Sequence, residues 1–315
     1  MTDHSTRQRP SSDVGIRRII VGTDLSRPAY AAVRRAAIIS HASAAKLELL
    51  HVVSDSFASM EWNGVRAAAG LLEKDMLESA AHDLHEVAAQ IETELGVHGD
   101  ALVVRGRPFS AIAARSEETD ADLVVVGAHG ENFLLTPLLG TTAHRILRLS
   151  RKPVLLVKQT PGTGEPLANG YRHAVIATDF AADSVEAALA ARRLFPGMGA
   201  TLFHAYHVPF EAKLSRTIPQ STLAEYRQRS AEQAHAELLR FADATHWSDA
   251  PRVVRHGPAA VRIREFAAEI GADLIVTGSE EMPRLQSALL GSVSLSLVTE
   301  ASCDVLLART TAADR

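Results

Sequence analysis

The stretch Arg17–Ser26, RRIIVGTDLS, runs an apolar segment into Thr-Asp, and the same pattern returns as HAVIATDFA at His173–Ala181. A β-branched apolar run stopped by Thr-Asp reads as a short buried strand ending in a turn. Working outward from these two anchors, further segments recur in the same order. LELLHVV at Leu47–Val53 answers to TLFHAYHV at Thr201–Val208, and VVRGRP at Val103–Pro108 to VVRHGP at Val253–Pro258. ADLVVVG ending at Gly127 answers to ADLIVTG ending at Gly278, LLGTTAHRIL to LLGSVSLSLV, and PVLLV from Pro153 to DVLLA from Asp304. A spacing of about 150 residues is too long for a solenoid repeat and is the size of a whole domain.

Between the copies lies TPGTGEPLANG, Thr160–Gly170, rich in Gly and Pro and without apolar periodicity. It reads as a linker at 160–171, separating a first domain at 16–159 from a second at 172–309. Helical stretches separate the strand-like segments. One runs from Pro28 to Ser40, and another from about Gly64 to Leu95 has apolar residues at Leu72, Met76, Leu77, Ala80, Leu84, Val87 and Ile91. Apolar strands alternating with crossover helices predict a parallel sheet covered on both faces. The expected fold is therefore a doubly wound, five-stranded α/β domain, present twice.

Composition narrows the class. A chain of 315 residues can bury two cores, and 46% hydrophobic with 22% charged residues suits a globular protein. A net charge of −4 offers no basic surface for nucleic acid. The lone Cys303 excludes an intrachain disulfide and fits a reducing compartment. The first fifteen residues lack an apolar signal-peptide core, and no apolar run reaches about eighteen residues, so a cytoplasmic protein without a membrane span is expected.

In an open parallel sheet the ligand crevice lies beyond the carboxyl ends of the strands. Three such ends are Thr23-Asp24, His51-Val52-Val53 and Gly127-Ala128-His129-Gly130. Farther on, Gly140-Thr141-Thr142 precedes a helical pattern at His144, Ile146 and Leu147. Glycines admit close backbone approach, and a helix start offers free N–H groups and the positive end of the dipole, which together suit a phosphate chain. Taken singly, each glycine pair reads equally as a tight turn and Thr141 as a helix cap.

The spacing Gly127-x2-Gly130-x9-Gly140-Thr141 resembles the ATP-binding loop of the universal stress protein family, and the two copies resemble its tandem members over nearly the whole chain. The resemblance implies a stress-response role, bound ATP with Mg²⁺, and sheets paired through the PVLLV and DVLLA edges as an intrachain pseudo-dimer, with a homodimer also open. It would put Asp24 and Gly127 near ribose and adenine and Val52 on the adenine through its backbone, with Thr23 beside Asp24 among the binding residues. Gly130, Gly140, Thr141 and Thr142 would hold the phosphates. His129, by its place beside this loop, reads as a phosphate contact or as a general acid or base. Ala143 departs from the pattern, which often has a hydroxyl there.

No Gly-x4-Gly-Lys-Ser/Thr loop is present, and no Gly-x-Gly-x-x-Gly follows the first strand of either copy, so P-loop and dinucleotide readings fall away. The second copy reads Gly278-Ser279-Glu280-Glu281, then Gly291-Ser292. A side chain at Glu281 and two carboxylates oppose a polyphosphate, so ATP is expected in the first half alone. Asp179, matching Asp24, is equally a plain turn residue. His204 and His207 supply only two possible zinc ligands and lie on opposite faces of an extended strand, so no metal site is expected there. Cys303 reads as a packed thiol, and His129 has no evident nucleophile or orienting carboxylate beside it. A regulatory ATP-binding protein is the leading reading; a slow ATP hydrolase and a nucleotide-free interaction scaffold are the alternatives.

Overall fold

The computed structural model describes residues 15–54, 66–128, 139–158, 170–279 and 290–310. The first half contains β1 (Arg18–Thr23), α1 (Tyr30–Ser43), β2 (Lys46–Ser54), α2 (Arg66–Leu95), β3 (Gly99–Gly106), α3 (Pro108–Glu118), β4 (Leu123–Gly127), α4 (Thr141–Leu149) and β5 (Val154–Val157). The second half contains β6 (His173–Ala177), α5 (Ala182–Leu194), β7 (Gly199–Tyr206), the short α6 (Glu211–Leu214), α7 (Gln220–Ala244), β8 (Arg252–His256), α8 (Ala259–Glu269), β9 (Leu274–Gly278), α9 (Ser292–Glu300) and β10 (Asp304–Ala308).

The strands form one sheet in the order β3-β2-β1-β4-β5-β10-β9-β6-β7-β8. Every pairing within a half is parallel, and the halves meet where β5 and β10 pair antiparallel, Val305 opposite Leu156 and Leu307 opposite Val154. The expected doubly wound architecture is thus present twice, joined through the PVLLV and DVLLA edges. Side chains alternate across this seam. Leu155 and Leu306 enter the core under α1 and α5, while Leu156 and Leu307 enter the core on the opposite face, so each hydrophobic layer runs through both halves.

The helix expected at Pro28–Ser40 begins at Tyr30 because the strand-end turn uses the intervening residues. Leu25 has φ 62°, a left-handed backbone fixed by side-chain caps from Thr23 and Asp24. On α2 the apolar stripe is buried at Ala80, Leu84 and Ile91, whereas Met76 is exposed.

One sequence correspondence needs correction. VVRGRP and VVRHGP match by letter with both Val-Val-Arg runs aligned, but the sheet register sets Val103 opposite His51 and Val254 opposite His204. Arg105-Gly106 therefore corresponds to His256-Gly257, one place on. The two glycines fix the equivalence, with φ of 139° and 130°, a conformation that an L side chain resists.

Across the seam each half sends a cation to the other. Lys158, after β5, donates from Nζ to the carbonyls of Val298 and Thr299 at 2.5 and 3.1 Å. Arg309, its counterpart after β10, donates to the carbonyls of Leu147 and Arg148 at 2.6 and 2.9 Å. Those carbonyls belong to the last turns of α9 and α4, where helical acceptors lack partners and the dipole favours positive charge.

Candidate functional site

Parallel pairing brings the ends of β1, β2 and β4 to one rim of the first half. Thr23 lies opposite His51, Gly22 opposite Val126, and Gly127 opposite Val157. Thr23 is buried, and its Oγ1 accepts the Leu25 N–H at 3.1 Å. Asp24 is exposed, and its Oδ1 accepts the Ser26 N–H at 3.0 Å. Val52 is buried in β2.

The second half repeats this turn. Thr178 Oγ1 accepts the Phe180 N–H at 2.8 Å, Asp179 Oδ1 accepts the Ala181 N–H at 3.0 Å, and Phe180 has φ 67°. The Thr-Asp pair is therefore a device that reverses the chain at the end of a central strand, and both Asp24 and Asp179 have that structural duty.

Beyond the rim, Gly140 caps α4 and donates its N–H to the Ala128 carbonyl at 2.9 Å, which ties the helix start to the end of β4. The sequence offers Thr141 as a cap; the cap is Gly140, and Thr141 and Thr142 are the first two helical residues. Their N–H groups point out of the helix end, where no intrahelical acceptor exists. Ala143 is buried and turned inward. The same helix carries His144, Arg145 and Arg148, and the Arg145 guanidinium lies 4.8 Å from the centre of the Phe109 ring. Burial, then Arg148 and Arg145, push the His144 imidazole below its ordinary range, so it is neutral near pH 7.

Seven predicted site residues, Thr23, Asp24, Val52, Gly127, Gly140, Thr141 and Thr142, thus lie at the carboxyl rim or the adjoining helix start. His129 and Gly130 lie outside the described residues, as do Glu280 and Glu281 of the second half.

Sequence reasoning left His51 without a role. Its Nδ1 meets the Thr23 carbonyl at 2.9 Å, and His204 Nδ1 meets the Thr178 carbonyl at 2.8 Å. The two histidines lie 28 residues after Thr23 and 26 after Thr178, so only an alignment of the repeats that allows a two-residue gap between these strands pairs them. His204 also stacks on Phe180 at 4.4 Å, while His207 is exposed, and no group of three His, Cys, Asp or Glu able to hold a metal occurs among the described residues. Cys303 is half-buried, and burial together with Asp304 pushes its thiol up to about 12, far from a reactive thiolate.

At the helix start of the second half, Gly291 caps α9, and Ser294 Oγ donates to the Gly278 carbonyl at 2.7 Å. Ala143 is the counterpart of Ser294. Whereas α4 has three basic or imidazole side chains, α9 has none and ends in Glu300. Among the described residues, no helix is long and apolar enough to cross a membrane.

The sequence model of the universal stress protein family matches residues 15–158 and again 170–309. A universal stress protein of Mycobacterium tuberculosis is 25% identical over 316 aligned residues, covering 92% of this chain and 94% of its own. A universal stress protein of Methanocaldococcus jannaschii is 25% identical over 155 residues, which is 45% of this chain and 95% of its own. The crystal structure of a universal stress protein from Archaeoglobus fulgidus covers 93% of this chain and 98% of its own, with a TM-score of 0.63 and 18% identity. Two family matches in succession, on two halves of one sheet with the same strand order, make this chain a tandem member of the universal stress protein family.

Proposed function

We propose that this protein is a regulatory nucleotide-binding protein whose first half holds ATP and whose second half does not hold it in the same way. The observation that carries the reading is the joint of Gly140 to Ala128, which sets the open start of a basic helix beside the ends of β1, β2 and β4. A triphosphate would receive the first-turn N–H groups and the hydroxyls of Thr141 and Thr142, with Gly127 and Gly130 giving the backbone room to approach. The base and ribose would rest on the rim formed by Thr23, Asp24 and Val52, with His129 as a further contact. Mg²⁺ would arrive on the phosphates, its usual mode beside nucleotides.

The second half supports a division of labour. Its helix start has no basic residue, and its sequence puts Glu281 where the first half has Gly130. Binding energy spent on contacts at this rim would alter the surface around it, which is how occupancy becomes a signal.

Mass spectrometry of freshly purified, denatured protein tests this directly. ATP or ADP is expected to co-purify with the natural sequence and to vanish in Gly130→Glu, which copies the second half. Protein free of nucleotide that also fails to bind added Mg·ATP in calorimetry overturns the reading. Recovery of bound ATP unchanged after incubation supports a sensor over a hydrolase.

A further inference from the structure

The seam between the halves contains two kinds of contact. One kind obeys the internal two-fold relation: Lys158 on the end of α9 and Arg309 on the end of α4 are copies of each other. Such contacts would form equally well if two first halves, or two second halves, were paired through the same edge.

The other kind occurs once. Arg35 of α1 reaches across the seam, its Nε 3.1 Å from Asp304 Oδ2 and its guanidinium 4.9 Å from the centre of the Tyr171 ring. Tyr171 donates its hydroxyl to the same carboxylate oxygen at 2.6 Å, and the Lys158 N–H donates to Asp304 Oδ1 at 2.8 Å. Asp304 is 3% exposed, so its charge is compensated by these partners and not by bulk water.

The two Thr-Asp turns fix the counterparts of Arg35 and Tyr171 in the other half, and the register of β5 on β4 and of β10 on β9 fixes that of Asp304. Arg35 corresponds to Ala190, Tyr171 to Ile16, and Asp304 to Pro153. The mirror site is apolar: Ile16 and Ala190 are buried there.

We infer that this edge is built for a heterotypic partner: the half with Arg35 selects the half with Tyr171 and Asp304, and rejects a copy of itself. Pairing two first halves would set Arg35 against Ile16 and Pro153, a cation with neither carboxylate nor ring. Pairing two second halves would bury Asp304 against Ala190 in place of Arg35. Each homotypic seam repeats its defect twice, because the two-fold relation generates both sites. A contact that penalises wrong partners more than it rewards the right one supplies selectivity. The intact chain therefore closes on itself through unlike halves, leaving none of its seam edges to recruit a second copy.

A double-mutant cycle on the intact chain, read by urea unfolding, tests the pair. Arg35→Met and Asp304→Asn are each expected to lower the folding equilibrium constant by about 100-fold, since each strands a buried charge. The double variant is expected to regain at least about tenfold over the sum of the singles; additive losses overturn the inference. A second measurement reads partner choice. With a protease site in the linker, protein cleaved after folding is compared by native mass spectrometry with its Arg35→Met/Asp304→Asn form. Unlike-half pairs only are expected from the natural residues, with like-half pairs appearing in the double variant toward the roughly one-half share of random pairing. Like-half pairs from the natural residues, or none from the variant, count against selection by Arg35 and Asp304.

Discussion

Ser294 Oγ donates to the Gly278 carbonyl at 2.7 Å, pinning the start of α9 to the end of β9, while the matching position of the first half is Ala143. The hydroxyl at this place is turned inward and spent on the protein's own backbone. Its loss at Ala143 therefore removes a tie between α4 and β4, leaving Gly140 to hold that joint through Ala128. Ala143→Ser is expected to form the same bond to Gly127 and to stabilise the chain by about 0.5–1 kcal/mol, and Ser294→Ala to cost about 1–2 kcal/mol. Urea unfolding of both variants checks this. A destabilised Ala143→Ser would show that the two helix starts are not equivalent.

The strand-end glycines differ in what surrounds them. A Cβ on Gly278 would lie 2.6 Å from the Asp183 carbonyl carbon and the Ser184 nitrogen, both backbone atoms at the start of α5. A Cβ on Gly22 would lie 2.6 Å from Ile112 Cδ1, the movable end of a side chain. Gly278→Ala is expected to cost about 2–3 kcal/mol and Gly22→Ala about 1, because backbone cannot repack as a methyl can. Thermal unfolding orders the two; equal losses would refute the distinction.

Glu48 is 4% exposed in β2 and accepts Arg115 Nε and Nη2 at 2.8 and 2.9 Å, with Arg18 at 3.8 Å. The second half needs no ion there, since Thr201 takes the place of Glu48 and bonds His173 Nε2 at 2.9 Å. Arg115→Met alone is expected to cost about 3–5 kcal/mol by stranding the carboxylate, and Arg115→Met/Glu48→Leu to recover most of it. Calorimetric unfolding of the single and double variants measures the recovery, and its absence would mean that Arg18 alone compensates Glu48.

Why some of this was legible in the chain and some was not follows from the range of each interaction. The Thr-Asp turns bond to residues two places on, so sequence carries them whole. Strand identity and order follow from apolar runs, and the Gly140 helix start from glycine before a periodic pattern. The crossed caps are silent in sequence. Lys158 and Val298 are 140 residues apart, and any cation just past a strand end looks alike until the seam forms. The exposure of Met76 and the one-place shift at Gly106 likewise depend on where α2 outruns the sheet and on backbone angles, which letter matching does not register. For the nucleotide site, the positions come from spacing, but the inward turn of Ala143 comes only from the fold.

Lys158 gives the fold a dependence on alkaline pH whose sign can be worked out. Burial pulls its ammonium down from 10.5 to about 8, partly offset by Cys303 and Asp304. In the unfolded chain the same group holds its proton until near its ordinary value of about 10.4. Between those two values the unfolded state binds more protons, so stability rises with pH across the window; below about 8 both states are protonated and the contribution is constant. The carbonyls of Val298 and Thr299 favour the cation and oppose this, so the full gain is at most on the order of 3 kcal/mol. Lys158→Met removes the titration but keeps the stem's packing. The informative quantity is the stability of the natural chain minus that of the variant, measured by urea unfolding at steps from pH 7 to 10.5. That difference is expected to be flat to about pH 8 and then to rise in favour of the natural chain. A difference that stays flat throughout would mean that the end of α9 holds Lys158 as a fully retained cation, and that its cap costs the fold no desolvation.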